Sequence, residues 1–302
     1  MPEINEVRRY ADFLIKKLKN KNILEINILN GRYKKHKPFD KYKELVNKLP
    51  IKLIDVKTKG KFLYMILEDN YYIFSTLGLS GGWTYQSKQS EDKFEHPLAS
   101  SYIDQKETEG YLKTALNHLN VEFKTDTGSV YFYDTLSFGT MKVITDDTEL
   151  EKKLKELGPD IMESTTTFDV FVERITKKTN LGKTIGVVLM NQKVISGIGN
   201  YLRADILWIS KISPFRKVSD LEKSELKEIF HSAKLLTWGE YDRQKAIDLG
   251  IIKKSDKMPS DYGRNFFVYC QEEDTNGHKV QKDELFEGSQ KRFIYWVPEI
   301  QK

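Results

Sequence analysis

One cysteine, Cys270, stands in 302 residues. A single thiol excludes an internal disulfide framework and any zinc site built from four thiolates. No stretch approaches the roughly 18 consecutive apolar residues that a membrane-spanning helix needs, so no membrane contact is expected. The opening residues carry Glu3 and Glu6 and lack an apolar core, so no secretory leader is expected there. Neither a G-x-G-x-x-G nor a P-loop pattern occurs, and no nucleotide or other cofactor is expected. His36, His96, His231 and His278 lie far apart and form no metal-ligand spacing. There is no internal repeat and no low-complexity tract. What is present is a folding composition, 39% hydrophobic and 12% aromatic, long enough for two domains. Lys and Arg outnumber Asp and Glu by 49 to 44, a mildly basic balance compatible with nucleic acid. Composition points to a reducing, intracellular setting. Nucleus, bacterial cytoplasm and viral factory all remain open.

Val7, Tyr10, Ala11, Leu14 and Leu18 fall on one helical face, which predicts a helix over residues 2–19. Pro2 suits its first turn, where a missing N–H has no partner to lose. Alternating segments predict strands over 23–29, 61–67, 71–76, 118–124, 130–133 and 141–144, with turns at Asn30 and Gly31 and at 68–70. Such a series suggests a sandwich or barrel. The polar, aperiodic stretch 86–111 reads as a surface insertion. Near residue 145 the character changes. A charged helix is expected over 146–156, stopped by Leu157, Gly158 and Pro159. A helical period then runs to about Trp238, with Ser219 and Glu222 as a capping box. Residues 266–269 and 292–297 are aromatic and β-prone, with a tight turn over 274–277 between them.

The stretch 183–214 concentrates chemistry. Helices are expected over 184–191 and 200–209, with Gly197 and Gly199 in the bend between them. Asn200 then begins the second helix, where free backbone N–H groups favour an anion, and Lys193 lies in the same bend. Phosphate binding is one reading of this stretch, and a packing corner with Asn200 as helix cap is the other. At the N-terminus, removal of Met1 leaves Pro2 as a secondary amine. Such an amine is nucleophilic near neutral pH, because α-amino groups titrate at roughly 8. Attack on a sugar C1′ gives an iminium, and Glu3 beside it can protonate the ring oxygen. Taken alone, these two residues also simply start a helix.

The pieces occur in a fixed order. They are Pro2 and Glu3, then Gly60 and Lys61 leading a strand, then Leu77-Gly78-Leu79-Ser80-Gly81. Asp134 with Phe138 and Gly139 follows, then Leu157-Gly158-Pro159-Asp160, and last Ser196-Gly197-Ile198-Gly199-Asn200. This series resembles the formamidopyrimidine-DNA glycosylase/endonuclease VIII family of base-excision repair enzymes, over essentially the whole chain. The bend led by Leu189-Met190-Asn191-Gln192-Lys193 is similar to that family's helix–two-turn–helix. The resemblance implies that Pro2 is the nucleophile and Glu3 the proton donor. Lys61 matches a strand lysine that binds phosphate near the lesion and assists elimination. Lys193 and Asn200 match phosphate contacts. In the register of the family's terminal zinc finger, Arg292 clamps phosphates and assists the second elimination, a task suited to a bidentate guanidinium. Phosphate binding by Lys61, Lys193, Asn200 and Arg292 is expected across the cleft between the domains.

The chain also departs from the pattern. Residues Asn276, Lys279, Val297 and Ile300 stand where zinc-bearing members place cysteines. The finger is therefore expected to be zincless, similar to giant-virus and animal members, with Phe266, Phe267, Tyr295 and Trp296 packing in place of the ion. Cys270 reads as a half-buried small hydrophobe. The family opening Pro-Glu-Gly-Pro-Glu-Val becomes Pro2-Glu3-Ile4-Asn5-Glu6-Val7, which crowds ground beside a flipped nucleotide. The family's wedge residues, Met, Arg and Phe, fall on Leu79, Leu136 and Phe138. Loss of the arginine removes a donor to the orphaned base, so opposite-base discrimination should weaken. His118 lies near a family DNA-contact position, although a lone exposed strand histidine is the plainer account. The run 34–37 reads as a solvated basic loop.

The resulting expectation is an α+β protein of two domains. A catalytic β-sandwich over 1–145 is flanked by the N-terminal helix, and a linker spans 146–162. A helical domain follows over 163–260, then a zincless β-hairpin finger over 261–302. Its expected function is that of a bifunctional DNA glycosylase and abasic-site lyase, acting as a monomer on damaged DNA, duplex or single-stranded. The substrates implied are oxidised pyrimidines and ring-opened purines. The alternative is a DNA-binding member of the same family with impaired catalysis.

Overall fold

In the computed structural model the described residues are 2–89, 94–98, 113, 115–259, 261–287 and 290–302. Helix α1 spans Ile4–Leu18 and buries Val7, Tyr10, Ala11, Leu14 and Leu18, the face set by the 3.6-residue period. It starts two residues later than the apolar spacing suggests, because Glu3 is its N-cap. The Glu3 carboxylate accepts the Glu6 backbone N–H, while the Glu3 N–H donates to Glu6 Oε2 at 2.8 Å. This reciprocal pair satisfies two of the four donors that a helix start leaves open.

Twelve strands and seven further helices follow among the described residues. The first compact unit is Met1–Lys155. Its strands are β1 (Asn22–Ile23), β2 (Glu25–Ile28), β3 (Ile51–Lys59), β4 (Phe62–Leu67), β5 (Tyr72–Thr76), β6 (Gly81–Ser87), β7 (Phe94–Glu95), β8 (Leu119–Lys124), β9 (Gly128–Asp134) and β10 (Thr140–Ile144). Short helices α2 (Gly31–Lys35) and α3 (Tyr42–Val46) interrupt them, and α4 (Asp147–Glu156) follows. Two five-stranded antiparallel sheets form, in the orders β1-β3-β4-β5-β10 and β2-β8-β9-β6-β7. One apolar core draws Leu53, Leu63, Met65, Ile73 and Val143 from the first sheet and Trp83, Phe123, Val130 and Phe132 from the second. The arrangement is a sandwich with α1 against it. Part of the expected insertion is strand, since Gln86 and Ser87 end β6 and Phe94 and Glu95 form β7. The remainder of 90–111 lies outside the described residues, apart from 96–98.

The second unit is Glu156–Lys302. It comprises α5 (Phe168–Ile175), α6 (Ile185–Val188), α7 (Asn200–Ile209), α8 (Lys223–Asp248) and the hairpin β11 (Gln281–Glu287) and β12 (Gln290–Trp296). Helix α8 is broken at Asp242, where φ is −157° and ψ is 85°. Its capping box joins Glu222 and Glu225, not Ser219 and Glu222. Ser219 instead lies in a 3-10 turn, Val218–Asp220, and donates to Asp220. A second apolar cluster joins Val187 of α6 and Ala204 of α7 to Val268, Val280, Leu285, Ile294 and Val297. Residues 266–269 form no strand. Their aromatic rings face α7, and their backbone N–H groups are taken by a side chain distant in sequence, as described below.

Candidate functional site

Pro2 is half-buried and leads directly into the Glu3 cap, so the carboxylate beside the prospective amine is buried and fixed by the helix it starts. Ile4 and Asn5 are fully buried in the first turn. Neither the oxygen nor the nitrogen of the Asn5 amide has a hydrogen-bond partner among the described residues. Helix α1 packs on β3 and β4. These strands are joined by a two-residue turn, Gly60 and Lys61, between the paired Lys59 and Phe62. Gly60 has φ +56°, a conformation that favours glycine, and Lys61 is half-buried in the turn just ahead of β4.

A second feature is an apolar protrusion. Leu79, Leu136 and Phe138 are 45%, 54% and 59% exposed, although all three are large and apolar. Two loops carry them, and Asp134 ties these loops together. Its Oδ1 accepts Ser80 Oγ–H at 2.6 Å and its Oδ2 accepts the Gly139 N–H at 2.6 Å. Ser80 Oγ in turn accepts the Leu136 N–H at 2.9 Å. Gly78, at φ +61°, sits so close that an added Cβ would lie 2.7 Å from Phe138 C and Gly139 N. Asp134, Phe138 and Ser80 all stand in the ordered motif series, but only the structure shows Ser80 bridging the two loops. His118 lies in the turn before β8, half-buried rather than exposed on a strand, and its carbonyl accepts the Asp134 N–H at 3.1 Å.

The helix–two-turn–helix is built around Gln192. Its Oε1 accepts the Gly197 N–H at 2.9 Å, and its Nε2 donates to the carbonyls of Met190 and Ile198 at 3.0 and 2.8 Å. Gly197 has φ +114°. Gly158 packs on this bend so closely that a Cβ would meet Val194 O at 2.4 Å, and Ser196 Oγ donates to Gly158 O at 3.0 Å. Lys193 is exposed, its N–H held by Asn191 Oδ1 at 2.9 Å. The N-cap of α7 is Gly199, and Asn200 is the first helical residue rather than the cap. Asn200 Oδ1 accepts from Arg203 Nη2 at 3.1 Å. Its oxygen is thereby engaged, so its NH2 is the part suited to a phosphate.

Helix α7 also holds the terminal finger, through three side chains that sequence patterning passes over. Arg203 donates to Phe293 O at 2.7 Å, beside the exposed Arg292. Asp205, fully buried, accepts the N–H groups of Phe267, Val268 and Tyr269 at 3.1, 3.0 and 3.3 Å. Burial pushes its pKa up to about 6, and the three N–H donors only partly offset that. Trp208 Nε1 donates to Asp274 Oδ2 at 3.0 Å, and Asp274 Oδ1 accepts the N–H groups of Asn276 and His278. Aromatic contacts complete the joint. Trp208 stacks on Phe267 with centroids 4.7 Å apart, Tyr201 packs on Phe266 at 4.6 Å, and Tyr269 meets Tyr295 at 5.3 Å. Arg292 pairs with Leu285 in the hairpin register, on the pleat face that buries Leu285 and Ile294. Cys270 is exposed, with φ +60°, and is not the half-buried residue expected. Among the described residues no group of three His, Cys, Asp or Glu side chains could hold a metal ion.

Three family profiles match the chain. They are the formamidopyrimidine-DNA glycosylase N-terminal domain over residues 1–141, the H2TH domain over 157–239 and the C-terminal domain over 255–302. The chain is similar to the formamidopyrimidine-DNA glycosylase of Ureaplasma parvum, at 27% identity over 240 residues, 77% of this chain and 76% of that one. It is similar to that of Bacillus cereus at 29% over 245 residues, 80% and 76% of the two chains. Among solved structures it resembles a Lactococcus lactis formamidopyrimidine-DNA glycosylase bound to DNA containing an abasic site, with TM-score 0.73 and 21% identity over the whole of both chains. A complex of the Lactococcus lactis protein with DNA containing an oxidised pyrimidine gives TM-score 0.72, also at 21% identity and full coverage. At that identity the structural likeness speaks for the fold, and the profiles speak for descent. The chain belongs to the formamidopyrimidine-DNA glycosylase/endonuclease VIII family.

Proposed function

We propose that this chain is a bifunctional DNA glycosylase and abasic-site lyase of the zincless endonuclease VIII-like type. The observation that carries the reading is Pro2 next to a buried, cap-fixed Glu3 in a chain of this family. With Met1 removed, the Pro2 nitrogen attacks C1′, and the C1′–base bond breaks as the new C1′–N bond forms. Glu3 delivers a proton to the ring oxygen, the sugar opens, and C1′ becomes an iminium. The iminium acidifies the C2′ hydrogen. Loss of that proton expels the 3′ phosphate, and a second elimination expels the 5′ phosphate. Hydrolysis of the iminium then frees the Pro2 amine.

Lys61, Lys193, Asn200 and Arg292 bind phosphates around the damaged nucleotide, and Arg292 assists the second elimination. Leu79 and Phe138 enter the space of the extruded base, and His118 supports the loop that carries Phe138. No cofactor is needed for this sequence of steps. The names of the curated relatives and the oxidised-pyrimidine complex support oxidised pyrimidines and ring-opened purines as substrates.

The test is incubation with a duplex carrying one oxidised pyrimidine, and separately one abasic site, followed by analysis of the cut ends. Phosphate at both ends is the expected product. Glu3→Gln is expected to slow base excision by about 10² or more. Tight, salt-sensitive binding with no cleavage would instead identify a catalytically impaired binder, the reading motivated by the altered residues Ile4 and Asn5 after Glu3 and by Leu136 in place of the wedge arginine.

A further inference from the structure

We propose that Arg203 is the positioning residue that orients the Asn200 amide and fixes the strand bearing Arg292, so that one buried guanidinium sets two of the three phosphate-binding groups of the second unit, Lys193 being the third. The inference rests on the reading that Asn200 and Arg292 contact DNA. Arg203 is 1% exposed. Its Nη1 donates to Gly186 O at 3.0 Å, and its Nη2 donates to Asn200 Oδ1 at 3.1 Å and to Phe293 O at 2.7 Å. Three separate pieces of chain therefore meet on one planar group: helix α6, the first turn of α7, and β12.

Packing alone does not demand this. Val187, Ala204, Leu285 and Ile294 already join the same elements through apolar contact. Burying a cation in that company is unfavourable unless hydrogen bonds replace its lost hydration, and three acceptors do so here. Here the two bonds have directional consequences. Accepting from Nη2 commits the amide oxygen of Asn200 inward and leaves the NH2 as the outward group, the polarity a phosphate requires. The bond to Phe293 O fixes the peptide between Phe293 and Ile294, one residue beyond Arg292, so the Arg292 side chain departs from a strand held close by. The guanidinium charge is also one hydrogen bond from the Asn200 amide, which strengthens that amide as a donor. A lysine could reach one of these carbonyls but cannot present a rigid fork to several.

The experiment uses the full chain with Arg203→Lys and Arg203→Gln, each alone and combined with Asn200→Ala or with Lys193→Ala. The readouts are affinity for an abasic-site duplex, the single-turnover cleavage rate at saturating enzyme, and the thermal midpoint. Each Arg203 variant is expected to remain folded and to weaken DNA binding by about tenfold. Adding Asn200→Ala to Arg203→Lys should produce little further loss, because both remove the same oriented amide. Adding Lys193→Ala should multiply the losses, as independent sites do. Equal multiplication in both pairs, unchanged affinity, or failure of both Arg203 variants to fold would overturn the proposal. The binding readout stands apart from catalysis. A wild type that binds but does not cleave sinks the lyase reading and leaves this test intact.

Discussion

His96 shows how a single buried group makes stability depend on pH. It is buried in the first unit, with Nε2 3.2 Å from Tyr10 Oη and 2.7 Å from Tyr133 Oη. Its Nδ1 accepts the Leu98 N–H at 3.2 Å, which places the proton on Nε2. Burial lowers its pKa from 6.5 to about 4. An unfolded chain therefore takes up a proton near pH 6.5 that the folded one refuses until about pH 4. Stability is fully present above 6.5 and falls as pH drops through that window, by at most about 3 kcal/mol. Denaturant titrations at pH 7 and pH 5 should show this loss, and His96→Gln should flatten it; an unchanged slope in the variant would refute the assignment. A second residue-scale prediction concerns Gly78. Alanine there must adopt φ +61° and place its Cβ 2.7 Å from backbone atoms of Phe138 and Gly139. Gly78→Ala should cost about 2 kcal/mol or more in thermal unfolding and should impair cleavage, because it displaces the loop that carries Phe138.

At the scale of elements, α7 is joined to the terminal finger through Arg203, Asp205 and Trp208. Asp205 titrates with the opposite sign to His96. Its folded pKa of about 6 lies above the ordinary 3.8, so its protonated form stabilises the fold at low pH and that contribution is lost as pH rises from about 4 to 6. Asp205→Asn keeps one acceptor of two for three N–H donors. It should lower the thermal midpoint at pH 7 and remove pH dependence of finger unfolding between 4 and 6. Hydrogen exchange at Phe267, Val268 and Tyr269 is the measurement. Unchanged protection would contradict the account.

Elements were legible where the local pattern decides them. The apolar period of α1, the 68–70 turn, the charged α4 and the start of α7 all follow from neighbours in sequence. Phe266 to Tyr269 did not, because aromatic residues favour strands locally while Asp205, some sixty positions earlier, captures their N–H groups. Gln192, Ser80 and Arg203 escaped for the same reason. Their roles lie in bonds to distant backbone atoms, which composition and spacing do not encode. The proposed site residues, by contrast, are those whose chemistry is read from type and order alone, such as Pro2, Glu3 and Lys193.

For the whole molecule, one consequence follows from a finger held by carboxylates and aromatic rings, and a second from binding through phosphates. Prolonged chelation with EDTA should change neither the thermal midpoint nor the cleavage rate, and loss of either would reveal a structural metal. Affinity for DNA should fall steeply with salt, and Lys193→Ala should reduce the slope of log affinity against log salt by about one while weakening all sequences alike.

The central claim, that the N-terminal proline is the nucleophile, is tested most directly by borohydride reduction of the protein on an abasic-site oligonucleotide. Proteolysis and mass spectrometry then locate the bond. The account predicts a stable adduct on the nitrogen of Pro2 in protein lacking Met1, and none when that amine is blocked. An adduct mapped to Lys61 or another lysine, or no adduct despite tight binding, would contradict it.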